Sequence, residues 1–376
     1  MKIVLAGGGT GGHFYPIVAV VEKLNKIAQE KKILELKLYY FSDSPYDQTA
    51  LFDNDIEFEE INSGKMRTYF SIKNFFDVFK TFFGFWGTLL KIFSIYPDVI
   101  FAKGGYLSFP VVLAARVLRI PLIIHESDSV PGRVNLFAGR FARRVAVSFA
   151  EAAQFFPKDK TAWMGHPIRQ DVIYPAVRSE AREYLKLDEK LPVIWVLGGS
   201  QGAQIINDVV MDTLPELVKN YQIIHQVGPK NLKDAQTRIL GVLSDESSRG
   251  RFKPFGFMNG LDLKMAAGAA DLIISRAGST IFEIAAWGVP SIIVPITESN
   301  GDHQRKNAFA YARAGACTVI EESNFKPNIL LFEIQKILNN PAKMADMKSS
   351  AKAFAKSDAA EKIAEEIIDI ALEHED

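Results

Sequence analysis

The chain has little of what marks secreted, membrane-spanning or nucleic-acid-binding proteins. Its single cysteine, Cys317, allows no disulfide framework, which favours a reducing compartment. Lysine plus arginine and aspartate plus glutamate both total 44, so no net charge favours nucleic acid as a partner. No apolar run reaches the roughly eighteen residues of a membrane span, and the N-terminus lacks signal-peptide features. We therefore expect a soluble cytoplasmic protein, and 376 residues predict two domains.

Strand-like runs followed by glycine turns and amphipathic helix patterns occur in both halves of the sequence. "KIVLAGGGTGGHFYPIVAVVEKL" recurs in kind as "PVIWVLGGSQGAQIINDVVMDTL", and the segment around "IFAKGGYLSFP" is echoed around "IISRAGSTIFE". This order predicts an α/β protein of two Rossmann-like domains, with parallel sheets that face a cleft. We place the domains at 1–165 and 166–355, with a C-terminal helix at 356–376 that could cross back to the first.

The first glycine turn fits G-x-G-x-x-G through Gly7, Gly9 and Gly12. A dinucleotide site also needs an acidic residue about 20 residues further on, and Asp43 lies well beyond that spacing. The turn is better interpreted as a phosphate-binding loop at a helix N-terminus. A second such loop, "LGGSQGAQ", suggests that donor and acceptor both carry diphosphates, which disfavours hydride transfer.

Several motifs together resemble the bacterial MurG family of glycosyltransferases: "GGGTGGHFYP", "FAKGGYLSFP", "IHESDSVPGRVN", "GHPIR", "GGSQGAQIIN", "SRAGSTIFE" and "DHQRKNA". The resemblance covers nearly the whole chain and implies the GT-B fold. It implies inverting transfer of N-acetylglucosamine from UDP-N-acetylglucosamine to the muramyl 4-hydroxyl of undecaprenyl-pyrophosphoryl-MurNAc-pentapeptide (lipid I). The product would be lipid II of peptidoglycan synthesis, made at the cytoplasmic face of the bacterial plasma membrane. We expect neither a cofactor nor a metal.

The chemistry of such a transfer suggests roles for individual residues. His13, beside a helix N-terminus that favours neutral imidazole, is the candidate general base. The resemblance implies that Glu283 holds the donor ribose, and Arg169 is expected to neutralise the departing diphosphate. The donor-binding candidates are Thr10, Gly11, Gly12, Arg169, Ser200, Gln201, Gly202, Met258, Ser279, Thr280, Glu283, Gln304 and Asn307.

The acceptor-binding candidates are Gly105, Tyr106, Glu126 and Asp128, and residues 10–12 of the first loop also stand on the acceptor side. The sequence departs from the family pattern in three places. "RAGSTIFE" is one residue shorter than usual between its arginine and glutamate, His166 replaces a usual asparagine, and Asp128 stands where asparagine is common. None of these changes removes an expected catalytic group.

The segment "NFFDVFKTFFGFWGTLLKIFSIY" carries aromatic residues at helical spacing. One interpretation is a helix packed on its own sheet. The other is a peripheral membrane contact, because more aromatic residues are present than one such packing usually needs. We expect docking on the cytoplasmic membrane surface by Phe75, Phe79, Phe82, Phe83 and Trp86, surrounded by Lys65, Arg67, Lys73, Lys80 and Lys91.

Two other functional classes remain open on the sequence. The first is a related GT-B enzyme that acts on a membrane glycolipid, or a UDP-sugar 2-epimerase. The second is a catalytically silent binding subunit, which is disfavoured because His13, Glu283 and Gln304 occur in one chain.

Overall fold

The computed structural model describes residues 1–8, 10–64, 73–199, 202–297 and 300–375, without the side chains of 73–80, 300, 374 and 375. The chain divides into two compact units. Unit 1 comprises Met1–Arg169 and Ser357–Asp376, and unit 2 comprises Gln170–Lys356.

The described part of unit 1 contains a seven-stranded sheet in which all strand pairs are parallel, in the order β3-β2-β1-β4-β5-β6-β7. Its strands are β1 (Lys2–Ala6), β2 (Lys37–Ser42), β3 (Ile56–Glu60), β4 (Val99–Ala102), β5 (Leu122–Glu126), β6 (Arg144–Val147) and β7 (Thr161–Trp163). Its helices are α1 (Gly11–Glu30), α2 (Gln48–Asp53), α3 (Lys73–Ile95), α4 (Ser108–Leu118), α5 (Arg133–Ala138) and α16 (Ala359–Glu375).

The described part of unit 2 contains a six-stranded parallel sheet in the order β10-β9-β8-β11-β12-β13. Its strands are β8 (Val193–Leu197), β9 (Gln222–Gln226), β10 (Phe252–Phe255), β11 (Leu272–Ser275), β12 (Ser291–Ile293) and β13 (Cys317–Val319). Its helices are α6 (Gln170–Ile173), α7 (Arg178–Tyr184), α8 (Gln204–Asn220), α9 (Leu232–Val242), α10 (Glu246–Gly250), α11 (Gly260–Ala269), α12 (Thr280–Trp287), α13 (His303–Arg313), α14 (Pro327–Leu338) and α15 (Pro341–Phe354).

The two sheets share the Rossmann strand order, so the fold class predicted from the internal similarity is confirmed. In each unit the first strand (β1 or β8) lies at the sheet centre and leads through a glycine turn into a helix. The central strands are apolar and buried, as expected for a parallel sheet covered on both faces. This architecture brings several strand ends with polar turns to one edge of each sheet.

The C-terminal helix α16 belongs to unit 1, although unit 2 precedes it in the chain. Its apolar face, which includes Ile363 and Ile367, is buried in the same core as Val21 and Leu24 of α1. Lys31 and Asp369 form an ion pair at 2.8 Å between the two helices. Across the described ranges, no helix is both long and apolar enough to cross a membrane.

Candidate active site

The first glycine loop joins β1 to α1 and places His13 in the opening turn of that helix. Thr10 is the N-cap residue, and its carbonyl accepts hydrogen bonds from the backbone N–H of His13 and of Phe14 at 3.1 and 3.2 Å. Gly11 and Gly12 form the start of the helix. The loop therefore places the predicted base and the predicted Thr10, Gly11 and Gly12 contacts side by side; Gly9 lies outside the described residues.

Hydrogen bonds determine which ring nitrogen of His13 carries the proton. Nδ1 lies 3.2 Å from the carbonyl oxygen of Gly8 and 3.3 Å from the Thr10 hydroxyl. Because a carbonyl oxygen only accepts, Nδ1 must carry the hydrogen and donate it to Gly8. The neutral ring then has its free lone pair on Nε2, where a general base needs it.

The surroundings of His13 also favour its neutral form. Burial lowers the pKa of the ring below 6.5, and the positive charge of Lys103 lowers it further. The charge of Asp128 and the bond to Gly8 act in the opposite direction. The net direction is downward, so His13 is a competent proton acceptor at neutral pH.

Gly105 of the turn after β4 approaches the His13 ring closely. Its φ is +81°, and a Cβ at this position would lie 3.5 Å from Cε1 of His13. A side chain here would be strained by the positive φ, and its Cβ would lie in van der Waals contact with the imidazole. The neighbouring Tyr106 donates its hydroxyl to Asp43 at 3.3 Å. The structure thus brings the acceptor-binding candidate Gly105 next to the candidate base His13.

Glu126 and Asp128 occupy the turn that follows β5. Glu126 is 4% exposed, and its two carboxylate oxygens accept from the backbone N–H groups of Asp128 and Gly132 and from Asn135 Nδ2, at 2.9–3.0 Å. Burial raises the pKa of Glu126, and these bonds oppose the rise. Because both oxygens already hold the chain, the geometry favours a role for Glu126 in shaping this turn. Acceptor binding by Glu126 and Asp128 stays a prediction.

Arg169 is the last residue of the first segment of unit 1. Its guanidinium carbon lies 4.2 Å from the ring centroid of Tyr15, two residues after His13. This cation–π contact holds the guanidinium against α1. Binding of the donor diphosphate by Arg169 stays a prediction.

The second glycine loop joins β8 to α8 in unit 2, and Ser200 and Gln201 lie outside the described residues. Gly202 has φ +78°, and a Cβ there would lie 2.1 Å from the carbonyl oxygen of Val227. Only glycine fits this approach. The same Val227 oxygen accepts from Asn207 Nδ2 at 2.9 Å, and Gln226 Nε2 donates to the Gly199 oxygen at 3.3 Å. The end of β9 therefore supports the loop.

A buried histidine on β9 predicts that the free energy of unfolding falls as the pH is lowered. His225 is fully buried, its Nε2 lies 3.0 Å from Asn207 Oδ1, and burial lowers its pKa to about 3. The unfolded chain takes up a proton as pH falls below about 6.5, and folded His225 does not until about 3. Stability is therefore lost with falling pH, by up to about 1.4 kcal/mol per pH unit for this one group.

We expect His225→Gln, which keeps a donor for Asn207, to remove this contribution. The free energy of unfolding, from denaturant titrations between about pH 6.5 and 4.5, should fall less steeply for the variant than for the parent. Ile224→Val, at the neighbouring buried position of β9, is the matched control; it changes no titratable group and should keep the parental slope. Equal slopes for His225→Gln and the parent would contradict the expectation.

The turn between β11 and α12 carries three donor-binding candidates. Ser279 is the N-cap residue of α12, Thr280 begins the helix, and Glu283 follows in its first turn, half-buried. Arg276 precedes them, and it donates to the Val294 oxygen at 3.0 Å and pairs with Glu322 at 2.6 Å. These contacts fix the turn on both sides.

Gln304 and Asn307 of α13 connect that helix to the neighbouring turns. Gln304 Oε1 accepts from the backbone N–H of Ile296 at 3.2 Å, and Asn307 Nδ2 donates to the Ala277 oxygen at 3.2 Å. Asn307 is 2% exposed. Met258, also 2% exposed, directly precedes Asn259, the N-cap residue of α11. Their donor contacts stay predictions, and the bonds seen are to the protein's own backbone.

Comparison with known proteins gives one consistent result. Residues 3–147 match the glycosyltransferase family 28 N-terminal domain, and residues 193–363 match the family 28 C-terminal domain. The chain is 36% identical over 342 residues to the UDP-N-acetylglucosamine--N-acetylmuramyl-(pentapeptide) pyrophosphoryl-undecaprenol N-acetylglucosamine transferase 3 of Bacillus thuringiensis, covering 90% of this chain and 92% of that relative.

The chain belongs to the MurG family.

Solved structures agree with the MurG assignment. The crystal structure of Acinetobacter baumannii MurG is similar with a TM-score of 0.72 and 26% identity, over 98% of this chain and 99% of that one. A putative UDP-N-acetylglucosamine 2-epimerase from Listeria monocytogenes has a TM-score of 0.68 at 15% identity, over 96% of this chain and 94% of that one, a likeness that shows the fold alone. As a member of the MurG family the chain is a glycosyltransferase with the GT-B fold, and both predictions are confirmed.

The sequence interpretation missed three residues that shape these turns: Lys103, His125 and Arg276. Each was present in a quoted motif, but none was given a role. The available signal was a charged or polar residue at the end of an apolar strand, as in "VIFAKGG" and "LIISRAGS". Such a residue must find partners in the neighbouring turns because parallel strands end at the same edge.

Proposed function

We propose that this glycosyltransferase moves N-acetylglucosamine from UDP-N-acetylglucosamine to the 4-hydroxyl of the muramyl sugar in lipid I, with inversion at the anomeric carbon. The family assignment supports the substrates, because the relative from Bacillus thuringiensis is named as an N-acetylglucosamine transferase from UDP-N-acetylglucosamine to N-acetylmuramyl-(pentapeptide) pyrophosphoryl-undecaprenol. The structural observation that carries the proposal is the tautomer of His13, whose Nδ1–H faces Gly8 and leaves Nε2 free.

In the proposed reaction, His13 Nε2 takes the proton of the muramyl 4-hydroxyl as that oxygen attacks the anomeric carbon of the donor sugar. The bond between this carbon and the β-phosphate oxygen breaks, and UDP leaves with the electron pair. Backbone N–H groups at the start of α8, with its positive helix end, would stabilise the negative charge on the diphosphate. The protonated imidazole then returns its proton to water.

The substrate proposal has a direct test with three acceptor conditions. The parent protein is incubated with UDP-N-acetylglucosamine and a lipid I analogue, diacylglycerol, or no acceptor, and the products are identified by mass. We expect one N-acetylhexosamine to be added to the lipid I analogue and UDP to be released. A glycosylated diacylglycerol, or an isomerised UDP-sugar without acceptor, would instead support one of the two alternative GT-B activities.

We further propose that the protein docks peripherally on the cytoplasmic membrane surface through α3. Five large apolar side chains of this helix are exposed by 49–69% and fall within one face at helical spacing; they are Phe82, Phe83, Trp86, Leu90 and Phe93. The opposite side of the helix packs inward through Thr88 and Ile92, which are 1% and 0% exposed. We call these five residues the α3 apolar face.

The basic residues expected around the α3 apolar face support the docking proposal less than the apolar side chains do. Lys91 pairs with Glu59 at 2.6 Å and donates to the Glu60 oxygen at 3.0 Å, so part of its charge is balanced within the protein. Lys65 and Arg67 lie outside the described residues, as do the side chains of Phe75, Phe79, Lys73 and Lys80. The apolar contact therefore carries the docking proposal.

We expect Phe83→Ser/Leu90→Ser to weaken binding to anionic liposomes by up to about 10²–10⁴-fold, because burying each of the two side chains is worth up to about 1.5–3 kcal/mol. Co-sedimentation measures the bound fraction. Phe52→Ser is the matched control, since Phe52 is 83% exposed in unit 1 outside the α3 apolar face. Unchanged liposome binding by the folded double variant would contradict docking through this face.

A further inference from the structure

A lysine is buried beneath the first glycine loop. Lys103 follows directly after β4 and is 2% exposed. Its backbone N–H donates to the Ala6 oxygen at 2.8 Å, which joins the ends of β4 and β1. A Cβ placed on Gly7 would lie 3.2 Å from the Cβ of Lys103. The side chain therefore starts at the base of the loop that carries His13.

The ammonium group of Lys103 is held by two neutral partners, one near the end of β5 and one on the turn after it. Its Nζ lies 2.6 Å from Nδ1 of His125 and 2.5 Å from the hydroxyl of Ser127. His125 Nε2 faces the Gly165 carbonyl at 2.9 Å, so Nε2 carries the ring hydrogen and Nδ1 accepts from Lys103. Both contacts act on residues adjacent to Glu126 and Asp128.

Burying a charged amine in this way costs free energy of folding. A residue with a purely structural role would not need to carry that charge. Burial lowers the pKa of Lys103 to about 7, while the charges of Glu126 and Asp128 oppose this. The side chain is therefore charged below about pH 7, the range in which an ordinary histidine takes up its proton.

We infer that Lys103 is a positioning residue for the transfer reaction: its buried ammonium group fixes the Ser127–Asp128 turn through Ser127 and His125 and places a positive charge beneath the loop that carries His13. The inference rests on the proposed role of His13 as the base. It deepens the proposal by naming a second residue on which the state of that base depends.

The charged groups around His13 determine in which direction each substitution shifts the pKa of its ring. Lys103 lowers the pKa of His13, and Asp128 raises it; the Gly8 carbonyl bond also raises it. The Thr10 hydroxyl is the remaining close polar contact of the ring, and it is uncharged. Removing the lysine charge should therefore raise the His13 pKa, and removing the aspartate charge should lower it.

The test measures the His13 pKa directly by NMR titration of the histidine rings, with the signal assigned from a His13→Asn sample. Lys103→Met keeps the length of the side chain without its charge, and Lys103→Gln also keeps a donor for His125. Both should shift the His13 pKa upward. Asp128→Asn should shift it downward, and Lys103→Met/Asp128→Asn should fall between the two single variants.

Activity provides a second readout that a purely structural residue would not move. We expect kcat/KM of Lys103→Met with the lipid I analogue to fall more at about pH 6 than at about pH 8, as the acidic limb of the profile moves up. An unchanged His13 pKa in the folded Lys103 variants would overturn the inference, as would loss of folding in both. Because the NMR titration needs no substrate, failure of the parent to use lipid I would count against the proposed function alone.

Discussion

His13→Asn should lower kcat by about 10²–10⁴-fold while leaving the KM for UDP-N-acetylglucosamine near the parental value, because loss of a general base typically costs that much. Asparagine places its amide nitrogen close to the position of Nδ1, so it can still donate to the Gly8 carbonyl, which His13 contacts at 3.2 Å. It has no counterpart of Nε2. The variant therefore removes the base and keeps the bond that shapes the loop.

Steady-state kinetics with a lipid I analogue give kcat, and calorimetry with UDP verifies that the donor site is intact. Thr10→Val is the matched control in the same loop, since it removes only the hydroxyl at 3.3 Å from Nδ1. We expect Thr10→Val to cost much less than His13→Asn. Near-parental turnover by His13→Asn would exclude His13 as the base and leave Asp128 or Glu126 as the candidates.

Glu283→Ala should raise the KM for UDP-N-acetylglucosamine by about ten- to a hundredfold, because a hydrogen bond to a charged acceptor contributes about 1.5–3 kcal/mol. Glu283 lies in the first turn of helix α12. The ion pair between Arg276 and Glu322 fixes the loop that leads from β11 into this helix. A ribose contact predicts that UDP and UDP-N-acetylglucosamine lose the same affinity. A contact to the sugar would weaken only UDP-N-acetylglucosamine.

Two controls sharpen this prediction. Glu216→Gln alters an exposed acid on α8 that pairs with Lys219 at 2.7 Å, and it should leave the donor KM unchanged. The 2′,3′-dideoxy form of UDP lacks both ribose hydroxyls, so the parent and Glu283→Ala should bind it equally. Parental affinity of Glu283→Ala for UDP would show that the ribose assignment is wrong.

The sequence allowed the fold to be predicted because its local and global signals agree. Apolar runs such as "VIFA" form β4, which is buried throughout, and the paired glycine turns lead into α1 and α8. The repeated order of these units was enough to predict two Rossmann-like sheets. The membership of α16 in unit 1 depends on long-range packing between Ile363 and α1 residues, and sequence spacing indicates this only as one option.

The candidate site was less predictable because its polar residues are paired across distant turns. A lysine such as Lys103 is expected at the surface, yet it is buried against His125. Glu126 was assigned to the acceptor, but its oxygens hold Gly132 and Asn135. Lys91, expected beside the membrane-contact face, pairs with Glu59 on β3. The contacts of Lys103 and Lys91 depend on which elements become neighbours in the folded unit, and those of Glu126 on the local path of the chain after β5.

The structure of the product formed from UDP-N-acetylglucosamine and a lipid I analogue decides whether the proposed transfer takes place. Proton NMR of the purified product reports both the attachment site and the configuration at the new anomeric carbon. We predict a β-linked N-acetylglucosamine on the 4-oxygen of the muramyl sugar, since the donor is α-linked and one displacement inverts it. An α-linkage, attachment at another oxygen, or no transfer to this acceptor would contradict the account.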